Sequence, residues 1–370
     1  MSAVNVNQFD DWIRDDSDVA ALVMRQWLEP VEGKDAVIFP PTYAKPERMP
    51  DGDWTGYNID RLDDGASVCL IDSVGSQANR MEPIFLRDGY SNLVPQITIK
   101  LRAGSQEKTV NLLEAGHRAA DAIVRFSNLS SELSRAFASI KDAENAEPLA
   151  KIAPTSLVFG AWDSRDTQVK LPRIVRSVIR AYDVQPLHRS AQYIPPVDYA
   201  QEGVLEIPDN QKDQASELGL RHAPAPWTHG GVQVKREIRR DACLNLAALR
   251  MLRAGKDKNA DPLPLRRYIL GLALVAFTAP QETFLREGCQ LVPDSDHPAE
   301  WKLARHDGRS ERLTIDHGTA LHFAQDAANA FGVGQSREVT FDPKAASSAL
   351  SKTKEERKKA KRQSAESPQG

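Results

Sequence analysis

The most apolar run of the chain, Tyr268 to Ala279, is about a dozen residues long and opens on Pro264, Arg266 and Arg267. A membrane span needs roughly 20 such residues. The run therefore reads as a helix buried inside a folded core, and the chain as one that stays out of the membrane. With 41% apolar and 27% charged residues over 370 positions, there is enough apolar surface for one large domain with insertions or for two modest ones. The N-terminus carries Asp10, Asp11, Asp15 and Asp16 and no apolar signal core, so a cytoplasmic protein is expected. Cys69, Cys243 and Cys289 lie far apart with no CxxC pair, which suggests neither a disulfide framework nor a zinc site.

Along the chain, Trp12 to Trp27 reads as a short amphipathic helix, followed by a loop rich in Pro, Gly and Asp from Pro40 to Asp53. Residues 66–72, ASVCLID, read as a buried strand, and SVGSQANRMEPIF as a turn into a short helix ending before Pro83. The spacing of Leu112, Leu113, Ala119, Ala120, Ile123 and Val124 predicts a helix capped by Thr109 and running to Phe126. A second helix is expected over Ser130 to Lys141. TSLVFGAW, after Pro154, reads as a strand. Residues 172–184 suit a helix, with Arg173, Arg176 and Arg180 on one face, and a strand equally well.

From Tyr193 to Trp227 the chain is polar and bears prolines, as an extended insertion of about 193–230 would. VQVKREI follows as a strand, Asp241 caps a helix to Arg253, and TFLREGCQLV reads as another strand. From Lys344 to residue 370 there are eight Lys/Arg and nothing to bury, so a disordered basic tail is expected. No strand leads into GxGxxG or GxxxxGK[ST], which disfavours a nucleotide-binding doubly wound domain. An α+β domain over 1–343, with an antiparallel sheet and helices on one face, fits better.

Charge is strongly segregated. Residues 1–72 hold 15 Asp/Glu against six Lys/Arg, whereas Arg165, Lys170, Arg173, Arg176, Arg180 and Arg189 face only Asp166 and Asp183 between them. Lys235, Arg236, Arg239 and Arg240 form a second basic group, and Arg118 and Arg125 stand seven apart. The guanidinium fork suits phosphate oxygens, and Trp162, Tyr182 and Tyr193 offer rings for base stacking. An arginine-rich surface paired with the acidic N-terminal segment of about 1–60 explains the same pattern. Gln77, Asn79 and Arg80 follow a buried strand and are candidates for sugar, base and phosphate contacts; the alternative is that they tie down a turn. His117 has Asp121 four residues on, but none of the eight histidines belongs to a metal or nucleophile motif.

LIDSVGSQANRME (70–82), GHRAADAIVRFS (116–127), TSLVFGAWDS (155–164), RIVRSVIRAYDV (173–184), LHRSAQY (187–193) and LRRYILGLALVA (265–276) occur in this order. Together they resemble the backbone subunit of type I-G CRISPR Cascade complexes, RAMP-superfamily proteins built on an RRM-like (ferredoxin-like) core. The resemblance spans about residues 60–295. It implies a non-catalytic protein without cofactor or metal that polymerises head to tail along CRISPR RNA. Such a protein presents the guide to a target DNA strand beside other Cascade subunits. It also makes Gln77, Asn79, Arg80, His117, Arg118, Arg125, Arg165, Lys170, Arg173, Arg176, Arg180, Arg189, Lys235, Arg236, Arg239 and Arg240 the expected RNA-binding set. No aromatic-rich RNP1 octamer is present, so backbone contacts should dominate. The alternative within the superfamily is a metal-independent RNA-processing endoribonuclease using His117 or His188.

Overall fold

The computed structural model describes residues 2–3, 6–48, 50, 54–255, 257 and 259–351. The chain opens with β1 (Ser2–Ala3) and α1 (Val6–Trp12). The helix expected over Trp12 to Trp27 is replaced by a strand, β2 (Val19–Pro30). Its first half alternates, with Leu22 and Met24 buried and Val23 and Arg25 exposed, which is the period of a half-covered strand. β3 (Val37–Ile38), β4 (Ile59–Arg61) and β5 (Ser67–Asp72) follow, then α2 (Val74–Met81), capped by the Ser73 hydroxyl accepting from the Ser76 N–H. Strand and helix here match the expectation for ASVCLID and SVGSQANRM.

The helix expected from Thr109 to Phe126 does not form. β6 (Ile97–Ala103) and β7 (Gln106–Asn111) make a hairpin there, with Thr109 inside the second strand. Asn111 and Glu114 then form a capping box on a single 3-10 turn, and Asp121 caps the one-turn α3 (Ala122–Arg125). The apolar spacing is real, but short turns bury it instead of one continuous helix. α4 (Ser130–Ala143) and α5 (Glu147–Ala150) continue the layer. TSLVF, expected as a strand, is α6 (Thr155–Phe159). All five of its residues are buried, so no face alternates and the period carries no signal.

The ambiguous stretch is strand. β8 (Val175–Tyr193) pairs with β9 (Ala223–Asn245) along almost its whole length, the outer halves forming a two-stranded arm that carries residues 194–222, α7 (Lys212–Glu217) among them. Asp241 lies in the strand, and Asn245 caps the short α8 (Leu246–Arg250). The apolar run is α9 (Leu263–Thr278), as expected. β10 (Phe284–Arg286) and β11 (Cys289–Pro293) split TFLREGCQLV into a hairpin. β12 (Glu300–Arg305), β13 (Ser310–Thr314), α10 (His317–Phe331), β14 (Arg337–Thr340) and α11 (Pro343–Ser351) complete the order. α11 takes up the start of the expected basic tail; residues 352–370 lie outside the described residues.

The architecture is α+β. The main sheet runs β1-β13-β12-β2-β9-β8-β5-β4, with β11 also on β2 and β3 on β9, and only β1–β13 is parallel. β14, β6 and β7 form a separate small sheet. Within the main sheet β12-β2-β9-β8 places the fourth, first, third and second of these strands side by side, with α2 before β8 and α9 before β12. One face of these strands, through Leu22, Met24, Val175, Ala242 and Leu244, joins α9 and α10 in the larger core. Ile179, Ala181 and Ile238 on the same face belong to a second cluster with Ile38, Leu285 and Leu291.

α9 is fastened at its start by Arg266, which is fully buried. Its Nε donates to the Leu252 carbonyl and its Nη1 to the Ile13 carbonyl and to Asp15 Oδ1 at 2.8 Å. Arg267 pairs with Asp10 at 2.9 Å. Part of the acidic N-terminal segment therefore meets its own chain. Farther along, Gly271 lets α9 and α10 touch: a Cβ there would stand 2.8 Å from Ala324 Cα. Gly271→Ala should lower stability by about 1–3 kcal/mol through overpacking, outweighing the gain of about 1 kcal/mol in helix propensity. Chemical denaturation with an unchanged m-value is the measurement.

Candidate nucleic-acid interface

Opposite the covered face, the sheet presents a row set by strand alternation. β8 contributes Arg176, Arg180 and Tyr182, and its partner β9 contributes Cys243, Asp241, Arg239 and Glu237 in register. β2 adds Val23, Arg25 and Trp27, and β12 adds Lys302 and Glu300. Among the described residues no helix covers Val23, which is 37% exposed, or Arg176. An antiparallel sheet with one face on the core leaves its other face to solvent in this way.

Arg180 and Arg239 stand directly opposite each other, an arrangement of like charges that is unfavourable by itself. Arg239 is neutralised where it stands. Its guanidinium reaches Glu237 at 2.8 Å, Asp241 at 3.0 Å and the Tyr182 hydroxyl at 2.8 Å, and stacks over the Tyr182 ring. Trp27 donates its Nε1–H to Glu237 at 2.6 Å, which orients the indole on the same face. Arg176 and Arg180 have no ion pair among the described residues and are the charges left over. Arg25, Trp27 and Lys302 belong to this face outside the expected set, the first two because β2 reads as a helix and Lys302 because no element is expected over 300–305; the Leu22–Val23–Met24–Arg25 alternation is the signal available for β2.

A second group gathers where α2, the 117–121 turn and α6 meet. His117 and Asn79 are exposed, Arg173 is exposed and donates from Nε to the Phe159 carbonyl at 3.1 Å. The expected His117–Asp121 contact is made by the His117 main-chain N–H, not the ring. Arg125 lies over the Phe126 ring, and burial with the nearby Arg165 charge lowers its pKa. Exposed Lys170 approaches the Trp162 ring, and Arg189 sits on the arm beside Phe39. Lys235 and Arg236 are exposed on β9, toward the arm.

Three of the expected contacts are turned inward. Gln77 is 3% exposed, donating to Asp72 Oδ2 at 2.7 Å and accepting from Ser177 Oγ at 2.8 Å. Arg240, also 3% exposed, donates from Nε to that same Ser177 oxygen at 2.9 Å. Arg118 is paired with Glu82 at 2.7 Å, reaches Asn79 Oδ1, and lies over Phe159. Arg80, half-buried, is held by Asp72 and the Leu285 carbonyl. These side chains tie elements together and are not on the outer face. Alternation explains Arg240, since Arg239 takes the outer side and its successor must point in. Among the described residues no three His, Cys, Asp or Glu side chains are placed to hold a metal ion.

The Arg118–Glu82 pair is under strain. Arg118 has a φ of 54°, unusual for a residue with a Cβ, and burial pushes Glu82 up to about 7 against the pull of the guanidinium. Glu82→Gln should destabilise the fold by about 3–5 kcal/mol, because it leaves the Arg118 charge buried and alone. Equilibrium urea unfolding would measure it; a loss under 1 kcal/mol would show that the pair is not holding the turn.

Comparison with known proteins adds an independent line. No curated protein matches the chain. Residues 22–186, which run from the middle of β2 into the arm, are similar to the family described as CRISPR-associated protein GSU0053, a match over somewhat less than half of the chain.

Proposed function

We propose that the chain is the RNA-binding backbone subunit of a type I-G Cascade effector, polymerising along CRISPR RNA and presenting it to a target DNA strand without catalysing a reaction. The observation that carries this reading is the outer face of the sheet, where exposed Arg176 and half-buried Arg180, neither with an ion pair among the described residues, stand near Tyr182 and Trp27. Unpaired guanidinium groups hold phosphates, and flanking rings give bases a surface to lie on. The β-α-β-β-α-β succession of β2, α2, β8, β9, α9 and β12 suits an RRM-like core. Exposed Arg165, Arg173 and His117, with Asn79, extend the basic surface past the start of β8.

Self-assembly follows from where the acids lie. Asp11, Asp16, Asp18 and Glu311 border a shallow depression by α1 and β13, at the far side of the sheet from β8, where Arg14 pairs with Asp16 and Arg305 with Asp18 and Glu311, and Asp11 keeps its charge without an ion pair among the described residues. A neighbour's arginine-bearing surface complements it, which is a head-to-tail contact that repeats without closing. Sequence reading is left to base pairing between guide and target, as in RNA-guided effectors generally.

On this reading, Arg176→Ala and Arg180→Ala should each shallow the log–log salt dependence of single-stranded RNA affinity by about 0.7, one phosphate contact apiece, equally for all sequences. Fluorescence anisotropy from low to moderate salt is the measurement. Slopes identical to the parent for both variants would remove the outer face from the RNA path.

A further inference from the structure

Between the end of α9 and the covered side of the sheet lies a cleft of about 380 Å³, within the range of ligand pockets. Its walls are mostly apolar, with Met24, Leu28, Ile179, Phe277, Leu291 and Trp301 among them. Arg240 lines it from the sheet and Arg80 from α2.

The charges around this cleft do not balance. Asp72, 1% exposed, already serves Arg80 and Arg286, each at 3.1 Å. Arg240 has Ser177 Oγ, and Met81 Sδ at 3.8 Å, but no carboxylate within ion-pair distance among the described residues. Arg286 Nη1 is buried without a hydrogen-bond partner. Two guanidinium groups thus share one carboxylate, and the third, Arg240, has none within reach among the described residues. Glu282 lies at the exposed rim and makes no ion pair among the described residues. Burial alone lowers the pKa of Arg240 to about 10, still well above neutrality, so the group is charged. A desolvated cation with no counter-charge is a costly arrangement, and a second carboxylate would relieve it.

We propose that this cleft receives a short peptide segment of a partner protein, with one carboxylate flanked by apolar side chains and seated on Arg240. The apolar walls take the flanking side chains, and Phe277 and Trp301, packed edge to face at 5.3 Å, form a firm wall for them. A nucleotide suits the cleft poorly, because ribose hydroxyls set against Met24, Leu28 and Leu291 would lose their hydrogen bonds to water. The inference goes beyond the RNA reading and does not depend on it, since Arg240 faces away from the outer side of the sheet.

The experiment is selection of random displayed heptapeptides against the full chain. The recovered peptide and its amide form (Glu→Gln or Asp→Asn) are then titrated by calorimetry. Peptides carrying an acid next to Leu, Ile or Phe are expected, with the amide form at least tenfold weaker. Arg240→Met should abolish binding. Thr283→Trp, at the exposed mouth and remote from the buried hydrogen bonds, should weaken it at least tenfold even if Arg240→Met fails to fold. Recovery of no peptide, equal affinity for acid and amide, or full binding by Thr283→Trp would overturn the proposal. So would tighter binding of guanosine or uridine 5′-monophosphate that Thr283→Trp removes.

Discussion

A hydrogen-bonded line through the middle of the protein holds its parts in place. Arg240 donates to Ser177, Ser177 to Gln77, and Gln77 to Asp72, which also accepts from Ser76, Arg80 and Arg286. The line crosses from β9 to β8 to α2 and ends at the junction of β5 with the β10–β11 hairpin. It also runs between the two apolar clusters. Val175 and Ala242 belong to one, Ile179 and Ile238 to the other, and Ser177 and Arg240 sit between them on their strands. A polar seam inside a core fixes how two apolar masses meet, because sliding one against the other would leave several buried groups without partners.

The seam also explains why the outer face has the character it does. With Arg240 and Ser177 committed inward, the neighbouring strand positions must turn outward, and Arg176, Arg239 and Asp241 do. Two of those three, Arg239 and Asp241, neutralise each other as next neighbours on that face, which leaves Arg176 and, beyond the buried Val178, Arg180 as available charge. The basic cluster of the sequence is thus sorted by strand geometry into groups that bind the protein to itself and groups that face solvent.

Much of the fold was legible where local signals and tertiary context agree. The buried strand at 67–72, the capped helix after it, α4 and the apolar α9 are of that kind. The failures have physical reasons. β2 alternates over only part of its length, and the helix expected from Trp12 runs together the end of α1 and this strand. β7 and the turns after it place apolar residues at helix-like intervals although several short elements bury them. α6 is enclosed on every side, so its β-branched residues packed as a helix against the composition. For the candidate site, the clustering of arginines along β8 was readable, whereas the inward turn of Gln77, Arg118 and Arg240 was not. Which of two adjacent arginines is buried depends on strand phase, and 172–184 left even the element type open.

The ladder between β8 and β9 runs unbroken in pairing from Val175–Leu244 beside the core to Tyr193–Ala223 at the tip, bending at three register shifts. At the first of these Asp183 adopts a φ of 54°, and its carboxylate accepts from the Ser67 N–H on β5. Bonds resume on both sides of each shift, so these are set angles and not joints. The arm therefore behaves as a lever continuous with the sheet. Whatever pushes on its tip is felt at the strands carrying Arg176, Arg180 and Ser177, and the direction in which it points is written in the number of residues each strand spends on its bends.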